Sequence, residues 1–189
     1  MKLSILTPTV PERAEQLTAL TEKLAKQIGD LPVEHLVFSD NRRRSIGQKR
    51  QALLSAALGE YIAFVDDDDD VSDDYVASIL EASQTQPDCI TFEQGATYNG
   101  QSSRVIFGSG NQDEPFQPGG DTLRGPWHVC AWRRLLVTNC WFGPTNYGED
   151  AIWCAQARRR IRNDAHIPRI LHHYRHDAES TLAPEPPRE

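Results

Sequence analysis

Five consecutive aspartates, Asp66 to Asp70, directly follow a short apolar segment, Tyr61 to Val65, and few folds accommodate such a junction. The apolar segment has the length and the β-branched and aromatic content of a buried strand. In open α/β sheets, ligands bind at the carboxyl ends of the strands. The sequence therefore predicts a strand that delivers carboxylates to one edge of a sheet.

The aspartate run itself indicates a cation site. Carboxylates so close together repel one another, and a folded protein keeps them where solvent or a bound cation neutralises their charge. Oxygen ligands without interleaved cysteine or histidine favour Mg²⁺, Mn²⁺ or Ca²⁺ over Zn²⁺, and the spacing does not match an EF-hand loop. The alternative is a solvated acidic loop before the next helix, where the helix dipole favours negative charge.

The charge and the cysteines restrict the function classes. The formal net charge of the 189 residues is −7, and the segment Glu60 to Asp74 alone contains seven aspartates. The acidity is thus local. The chain also lacks the excess of basic residues that would indicate a nucleic-acid-binding protein. Four cysteines without CxxC spacing are typical of free thiols in a reducing compartment. Without a signal peptide or an apolar run of ~20 residues, we expect a soluble, cytoplasmic protein.

Strands and helices alternate before and around the aspartate run. The pattern predicts an α/β fold of Rossmann-like type, a mostly parallel sheet flanked by helices with a small antiparallel part. Asp40, at the end of the second strand, then emerges at the same sheet edge as Asp66. The predicted strands are Leu3 to Leu6, Val33 to Ser39, Tyr61 to Val65, Cys89 to Phe92 and Arg169 to Tyr174. The predicted helices begin near Pro11, Ser45, Ser72 and Glu149; Gly29 is placed to end the first, and Ser45 to Gln48 has the form of a capping box at the second. Asn99-Gly100 predicts a hairpin, and the segment 108–126, rich in Gly, Pro, Asn, Gln and Asp, predicts a loop.

Two features of the second half suggest where chemistry could occur. The segment Trp127 to Trp153 is dense in aromatic residues, which either pack in the core or offer flat faces to sugar rings. Glu149 and Asp150 follow a glycine-rich turn at the start of a helix. They either stabilise the helix N-terminus or act on a substrate as a general base. A metal at the aspartate run could neutralise the charge of a departing diphosphate, with help from Lys49 or Arg50.

Several motifs together resemble the family-two glycosyltransferases of the GT-A fold. They occur in the family's order over nearly the whole chain: TPT-x-P-x-R at Thr7 to Arg13, a strand ending at Asp40, Gly47 with Lys49-Arg50, GEYIAFVDDDD at Gly59 to Asp69, YGED at Tyr147 to Asp150, and YRH at Tyr174 to His176. Gln51 departs from the asparagine usual in the family, and the five aspartates leave the register of the DxD motif open by one residue.

The resemblance implies roles for individual residues. It implies that Asp150 is the catalytic base and that Glu149 is its neighbour at the acceptor. The implied metal ligands are Asp66, Asp68 and His176. The implied donor-binding residues are Thr7, Pro8, Thr9, Arg13, Asp40, Lys49, Arg50, Asp66 and Asp67. The residues expected at the acceptor are Trp127, His128, Trp141 and Tyr147.

The leading hypothesis is a metal-dependent inverting glycosyltransferase that uses Mn²⁺ or Mg²⁺ and a nucleotide-sugar donor, expected to be a UDP-sugar. The acceptor stays open among saccharide, lipid-linked saccharide, protein and modified nucleic acid. One domain, residues 1–181, would comprise a nucleotide-sugar-binding half at 1–93 and an acceptor half at 94–181, before a disordered tail at 182–189. The alternatives are a nucleotidyltransferase, which usually has a glycine-rich first loop absent here, and a non-catalytic metal- or sugar-binding module.

Overall fold

The computed structural model describes residues 1–176, without the side chain of His176. The predicted tail at 182–189 therefore lies outside the described residues. The strands are β1 (Leu3–Thr9), β2 (Val33–Ser39), β3 (Tyr61–Phe64), β4 (Asp70–Val71), β5 (Cys89–Tyr98), β6 (Gln101–Phe107), β7 (Asp121–Arg124), β8 (Ala131–Arg133) and β9 (Asp164–His176). The helices are α1 (Ala14–Ile28), α2 (Ile46–Ala56), α3 (Tyr75–Ala82), α4 (Arg134–Val137) and α5 (Glu149–Arg158). In this part of the chain no helix combines the length and apolarity needed to cross a membrane.

The strands form one sheet in the order β2-β1-β3-β8-β5-β6-β7, with β9 beside β5 and β4 beside β9. β1 pairs in parallel with both β2 and β3, and β5 pairs in parallel with β9. The antiparallel pairs are β3–β8, β4–β9, β5–β6 and β5–β8. The predicted α/β class, a mostly parallel sheet flanked by helices, is confirmed.

The first half forms the predicted β-α-β-α-β unit. β1 runs three residues beyond the predicted Leu6, because its last residues pair with the end of β2. α1 begins at Ala14 rather than near Pro11, since Pro11–Arg13 forms a 3₁₀ turn before it. The predicted capping box at α2 is present, with the side chains of Ser45 and Gln48 each bonded to the other's backbone N–H. These elements place the carboxyl ends of β1, β2 and β3 side by side.

The second half contains more strand than predicted. β5 extends to Tyr98 and turns into β6 at Asn99-Gly100, both with positive φ, as the hairpin prediction requires. The glycine-rich segment 108–126 was predicted as a loop but includes β7, which pairs in parallel with β6. β9 begins at Asp164, five residues before the predicted start, because its first residues pair with Cys89 to Phe92 of β5.

Two apolar clusters, one on each face, enclose the sheet. One face packs against α1 and α3, with Leu24, Tyr75 and Phe92 among its buried residues. The other packs against α2 and α5, and there the rings of Phe142 and Trp153 stack with their centroids 5.0 Å apart. α2 and α5 therefore lie on the same face of the sheet, where their N-termini can approach each other.

The N-terminus of α2 touches the loop before α5 so closely that only glycine fits. A Cβ on Gly47 would lie 1.8 Å from the carbonyl oxygen of Gly143. Gly47→Ala is therefore expected to lower the free energy of unfolding by about 1–3 kcal/mol through overpacking, although alanine is the better helix former. Urea denaturation measures the loss. Gly110→Ala is the control, because a Cβ there meets nothing within 4 Å; equal stability of both variants would refute the predicted clash.

Candidate active site at the carboxyl edge of the sheet

The five aspartates after β3 do not point to one centre. The backbone N–H of Asp69 donates to the carbonyl oxygen of Asp66 at 3.1 Å, which folds the run into a turn. The side chains then pair with four different residues: Asp66 with Arg50 at 2.6 Å, Asp67 and Asp68 with Arg13 at 2.7 and 2.8 Å, Asp69 with His172 at 3.2 Å and Asp70 with Lys23 at 2.9 Å. Most of the negative charge is therefore matched by cationic or imidazole groups from other elements.

Asp68 and its neighbours have the properties of an incomplete cation site. Removal from water, followed by repulsion from Asp66 and Asp69, raises the pKa of Asp68 to about 7, although its side chain is 40% exposed. The buried oxygens Asp67 Oδ2 and Asp69 Oδ1 accept no hydrogen bond. A divalent cation would lower the pKa of Asp68 and stabilise its carboxylate.

The donor atoms in the run suit Mg²⁺ or Mn²⁺, but they do not form a closed site. Within residues 1–176 no three acidic, histidine or cysteine side chains converge as a metal-binding group. Mg²⁺ commonly binds through one or two carboxylates together with substrate phosphates. The residues present therefore fit an ion whose remaining ligands come from a bound diphosphate. The side chain of His176, a predicted ligand, lies outside the described residues.

The predicted donor-binding residues of β1 and β2 lie together beside the aspartate run. The buried Lys49 ammonium donates to the carbonyl oxygen of Thr9 at 2.8 Å and lies 2.7 Å from Asp40. Thr7 donates to the carbonyl oxygen of Val65, immediately before the run. Partial removal from water raises the pKa of Asp40, but the Lys49 contact outweighs it and the net shift is downward. Pro8 lies opposite Phe38 in the β1–β2 ladder.

Arg50 joins the aspartate run to the N-terminus of α5. Its buried guanidinium donates to both oxygens of Asp66, at 2.9 and 2.6 Å, and to Glu149 at 3.1 Å. Burial raises the pKa of Glu149, and Arg50 opposes that shift. The carboxylate of Asp150, next in the chain, is 26% exposed and accepts a hydrogen bond from the backbone N–H of Ala151. Of the predicted catalytic pair, Glu149 is thus an internal ion-pair partner and Asp150 is accessible.

The residues predicted at the acceptor divide into exposed and buried members. Trp141 and Tyr147 are 54% and 92% exposed. Tyr147 lies two residues before α5, and the backbone of Trp141 is bonded to the side chain of Gln156 in the second half of that helix. Trp127 is half-buried, with guanidinium groups of Arg124 and Arg158 over its ring at 5.2 and 5.1 Å. His128 is buried. Only Trp141 and Tyr147 therefore present an open aromatic face of the kind expected for a sugar ring.

The order of these elements matches a known family. The sequence model described as Glycosyl transferase family 2 matches residues 14–137, more than half of the chain. The chain belongs to glycosyl transferase family 2. The match covers Lys49, Arg50 and the whole aspartate run, and it ends before Glu149 and Asp150. It thereby confirms the family inferred from the sequence motifs. No curated protein matches the sequence.

Solved structures share the fold of this family 2 domain. A fragment of S. aureus TarS, residues 1–349, in complex with UDP matches with a TM-score of 0.72 and 18% identity, over 95% of this chain and 62% of that chain. The same fragment with UDP-GlcNAc gives 0.71 and 16%, over 97% and 62%. S. aureus TarS itself gives 0.69 and 16%, over 93% and 37%. The chain therefore spans between about one third and two thirds of the length of these proteins.

One contact of the aspartate run was missed by the sequence analysis. His172 of β9 is buried beside Asp69, and its Nδ1 lies 3.0 Å from the side-chain amide of Gln94. The sequence contains three histidines in HHYRH, and the prediction selected His176. Five adjacent aspartates predict that cationic or imidazole side chains lie beside them. The sequence alone does not predict which histidine contacts which aspartate.

A groove of about 500 Å³ begins beside the aspartate run, because its lining residue His173 pairs with Asp70 in the β4–β9 ladder. It crosses the outer part of the sheet, and its lining includes Gly95, Arg104, Asp121 and His173. None of the predicted site residues lines it. The groove therefore supplies no argument about the donor or the catalytic carboxylates.

Proposed function

We propose that this family 2 domain is a divalent-metal-dependent, inverting glycosyltransferase. It takes a nucleoside-diphosphate sugar, with UDP as the nucleotide, and transfers the sugar to an acceptor hydroxyl. Asp150 is the general base, and Asp66 and Asp68 hold Mn²⁺ or Mg²⁺ together with the diphosphate. The UDP and UDP-GlcNAc complexes of the structurally similar TarS support the choice of nucleotide.

The observation that carries this proposal is the Arg50 bridge. A single buried guanidinium contacts Asp66 in the aspartate run and Glu149 beside Asp150. Asp66, proposed to hold the cation for the leaving group, and Glu149, next to the proposed base, are thereby bound to the two terminal nitrogens of one guanidinium. Inverting transfer needs both the cation and the base at one site, because the nucleophile attacks the anomeric carbon as the diphosphate leaves it.

The residues of the chain supply two functions in the transfer. Thr9 and Asp40, held together by Lys49, and Thr7, bonded to the carbonyl oxygen of Val65, line the edge where the nucleotide binds. Asp150 removes the proton of the acceptor hydroxyl as its oxygen bonds to the anomeric carbon. The bond between that carbon and the diphosphate oxygen breaks, and its electron pair leaves with the diphosphate. A bound divalent ion supplies charge neutralisation for that leaving group.

Donor binding tests the proposal without knowledge of the acceptor. UDP and UDP-sugars are expected to raise the thermal midpoint of the wild-type protein only when Mn²⁺ or Mg²⁺ is present. At a ligand concentration of 100 Kd, the expected stabilisation is about 2.7 kcal/mol. Asp68→Asn should remove the metal-dependent part of the shift, since an amide does not carry the charge that favours the ion.

Asp73→Asn is the matched control. Asp73 is an exposed aspartate just beyond the run, and its carboxylate lies 3.6 Å from the Lys23 ammonium. This variant should keep the full metal-dependent shift. Release of UDP from a UDP-sugar then identifies turnover. Wild-type protein that neither binds nor hydrolyses any nucleotide sugar would contradict the proposal and favour a binding module.

A further inference from the structure

His128 is a buried imidazole without a hydrogen bond. It lies in the segment between β7 and β8, is 6% exposed, and neither ring nitrogen has a hydrogen-bond partner. Leaving a buried polar group unpaired destabilises the folded protein, so such groups call for an explanation. The apolar surroundings do not supply one, because the Phe64 ring meets the imidazole edge-on with centroids 6.2 Å apart.

The unpaired imidazole faces the proposed base. Nδ1 of His128 lies 3.7 Å from Oδ2 of Asp150, beyond hydrogen-bond distance but within reach of a small side-chain rotation. The other oxygen, Oδ1, accepts from the backbone N–H of Ala151. Catalytic hydrogen bonds are often long in ligand-free proteins and shorten when substrate binds. A closed contact would therefore fix both oxygens of the carboxylate.

The charges around His128 select its neutral form. Burial lowers its pKa well below the ordinary value, and the positive charge of Arg50 and the neighbouring His172 lower it further. A neutral imidazole carries one N–H and one bare nitrogen. Because a carboxylate only accepts hydrogen bonds, Nδ1 must carry the hydrogen if the two groups are to pair.

We propose that His128 is a positioning residue for the base, donating a hydrogen bond from Nδ1 to Oδ2 of Asp150 after a small side-chain rotation. This inference rests on the proposed function of Asp150. The hydrogen bond holds the carboxylate in the orientation from which it receives the acceptor proton, and the imidazole itself exchanges no proton. His128 thus acts through Asp150 rather than on the sugar.

The tautomer of His128 tests the pairing directly. Two-bond ¹H–¹⁵N spectra of the full chain resolve the protonated nitrogen of each of its six histidines, and His128→Phe identifies the His128 signals. The expected result is hydrogen on Nδ1, with a shift of the ¹⁵Nδ1 signal in Asp150→Ala. Hydrogen on Nε2, unaffected by Asp150→Ala, would overturn the inference. This measurement needs no turnover, so it stands even if the proposed function fails.

Turnover measures the consequence for the reaction. His128→Phe should lower kcat for release of UDP from a UDP-sugar by about 10–100-fold while KM for the donor stays unchanged. His128→Asn, whose amide can occupy the place of Nδ1–H, should restore a large part of kcat. A merely structural histidine would lower stability and raise KM in both variants alike. An unchanged kcat in His128→Phe, with intact UDP binding, would also overturn the inference.

Discussion

Asp150→Asn is expected to lower the rate of sugar transfer by about 10²–10⁴-fold, the usual contribution of a positioned general base. Asparagine has the same shape as aspartate but cannot accept the proton of the acceptor hydroxyl. The substituted residue lies on α5, away from the contacts among Thr9, Asp40 and Lys49. The Kd for UDP and Mn²⁺ should therefore stay at the wild-type value. Release of UDP from a UDP-sugar and calorimetric UDP titration measure the two quantities.

Two further variants serve as controls for Asp150→Asn. Asp30→Asn changes an exposed aspartate in the turn after α1 and should leave both rate and affinity unchanged. Glu149→Gln changes the carboxylate paired with Arg50 and should lower stability. If Asp150→Asn turned over at nearly the wild-type rate, Asp150 would not be the base.

Arg50→Met should produce the largest loss of stability among single substitutions at the site. Breaking a buried ion pair by removing one partner costs about 3–5 kcal/mol, because the other charge stays buried. The side chains of Arg50 and Glu149 are both buried, so little solvent screens the charge that remains. The loss should shrink as the pH falls, since protonation of Glu149, whose pKa burial already raises, removes the unpaired charge. Urea denaturation at several pH values measures both effects.

A double variant separates lost pairing from lost packing. Arg50→Met combined with Glu149→Leu replaces the buried Arg50–Glu149 pair by apolar groups and should recover the part of the stability that is lost through Glu149. Asp66 also loses its partner in this variant, but its side chain is 25% exposed and keeps access to water. Arg104→Met breaks the exposed pair with Asp121 and should cost far less, because water screens that pair. If Arg50→Met and Arg104→Met were equally stable, the Arg50 bridge would not be an important contact.

The sequence predicted local elements well because their signals are local. The Ser45 capping box, the Asn99-Gly100 hairpin and the end of α1 at Gly29 all depend on neighbours within a few residues, and the structure has all three. β7 and the early start of β9 were missed for the opposite reason. β7 is separated from its partner β6 by an irregular loop, and β9 lies far along the chain from its partner β5.

The predicted residues at the aspartate run show the same limit. The position of the aspartates after β3 predicted that their carboxylates lie at the sheet edge. It did not predict which basic residue pairs with each carboxylate. Arg13 lies 54 residues from Asp67 and Lys23 lies 47 residues from Asp70, so tertiary packing decides these pairs. For the aromatic segment, the sequence could not distinguish the buried Trp153 from the exposed Trp141, because both have apolar neighbours.

The long parallel pairing of β5 with β9 has a consequence for how the chain acquires its structure. Contacting residues such as Thr91 and His166 are 75 positions apart. During synthesis, β5 can form its hairpin with β6 early, but its other edge stays unpaired until residue 176 has left the ribosome. Such distant pairing slows folding, and an open strand edge attracts other chains. A nascent chain stalled before β9 should therefore recruit chaperones more strongly than one released after it.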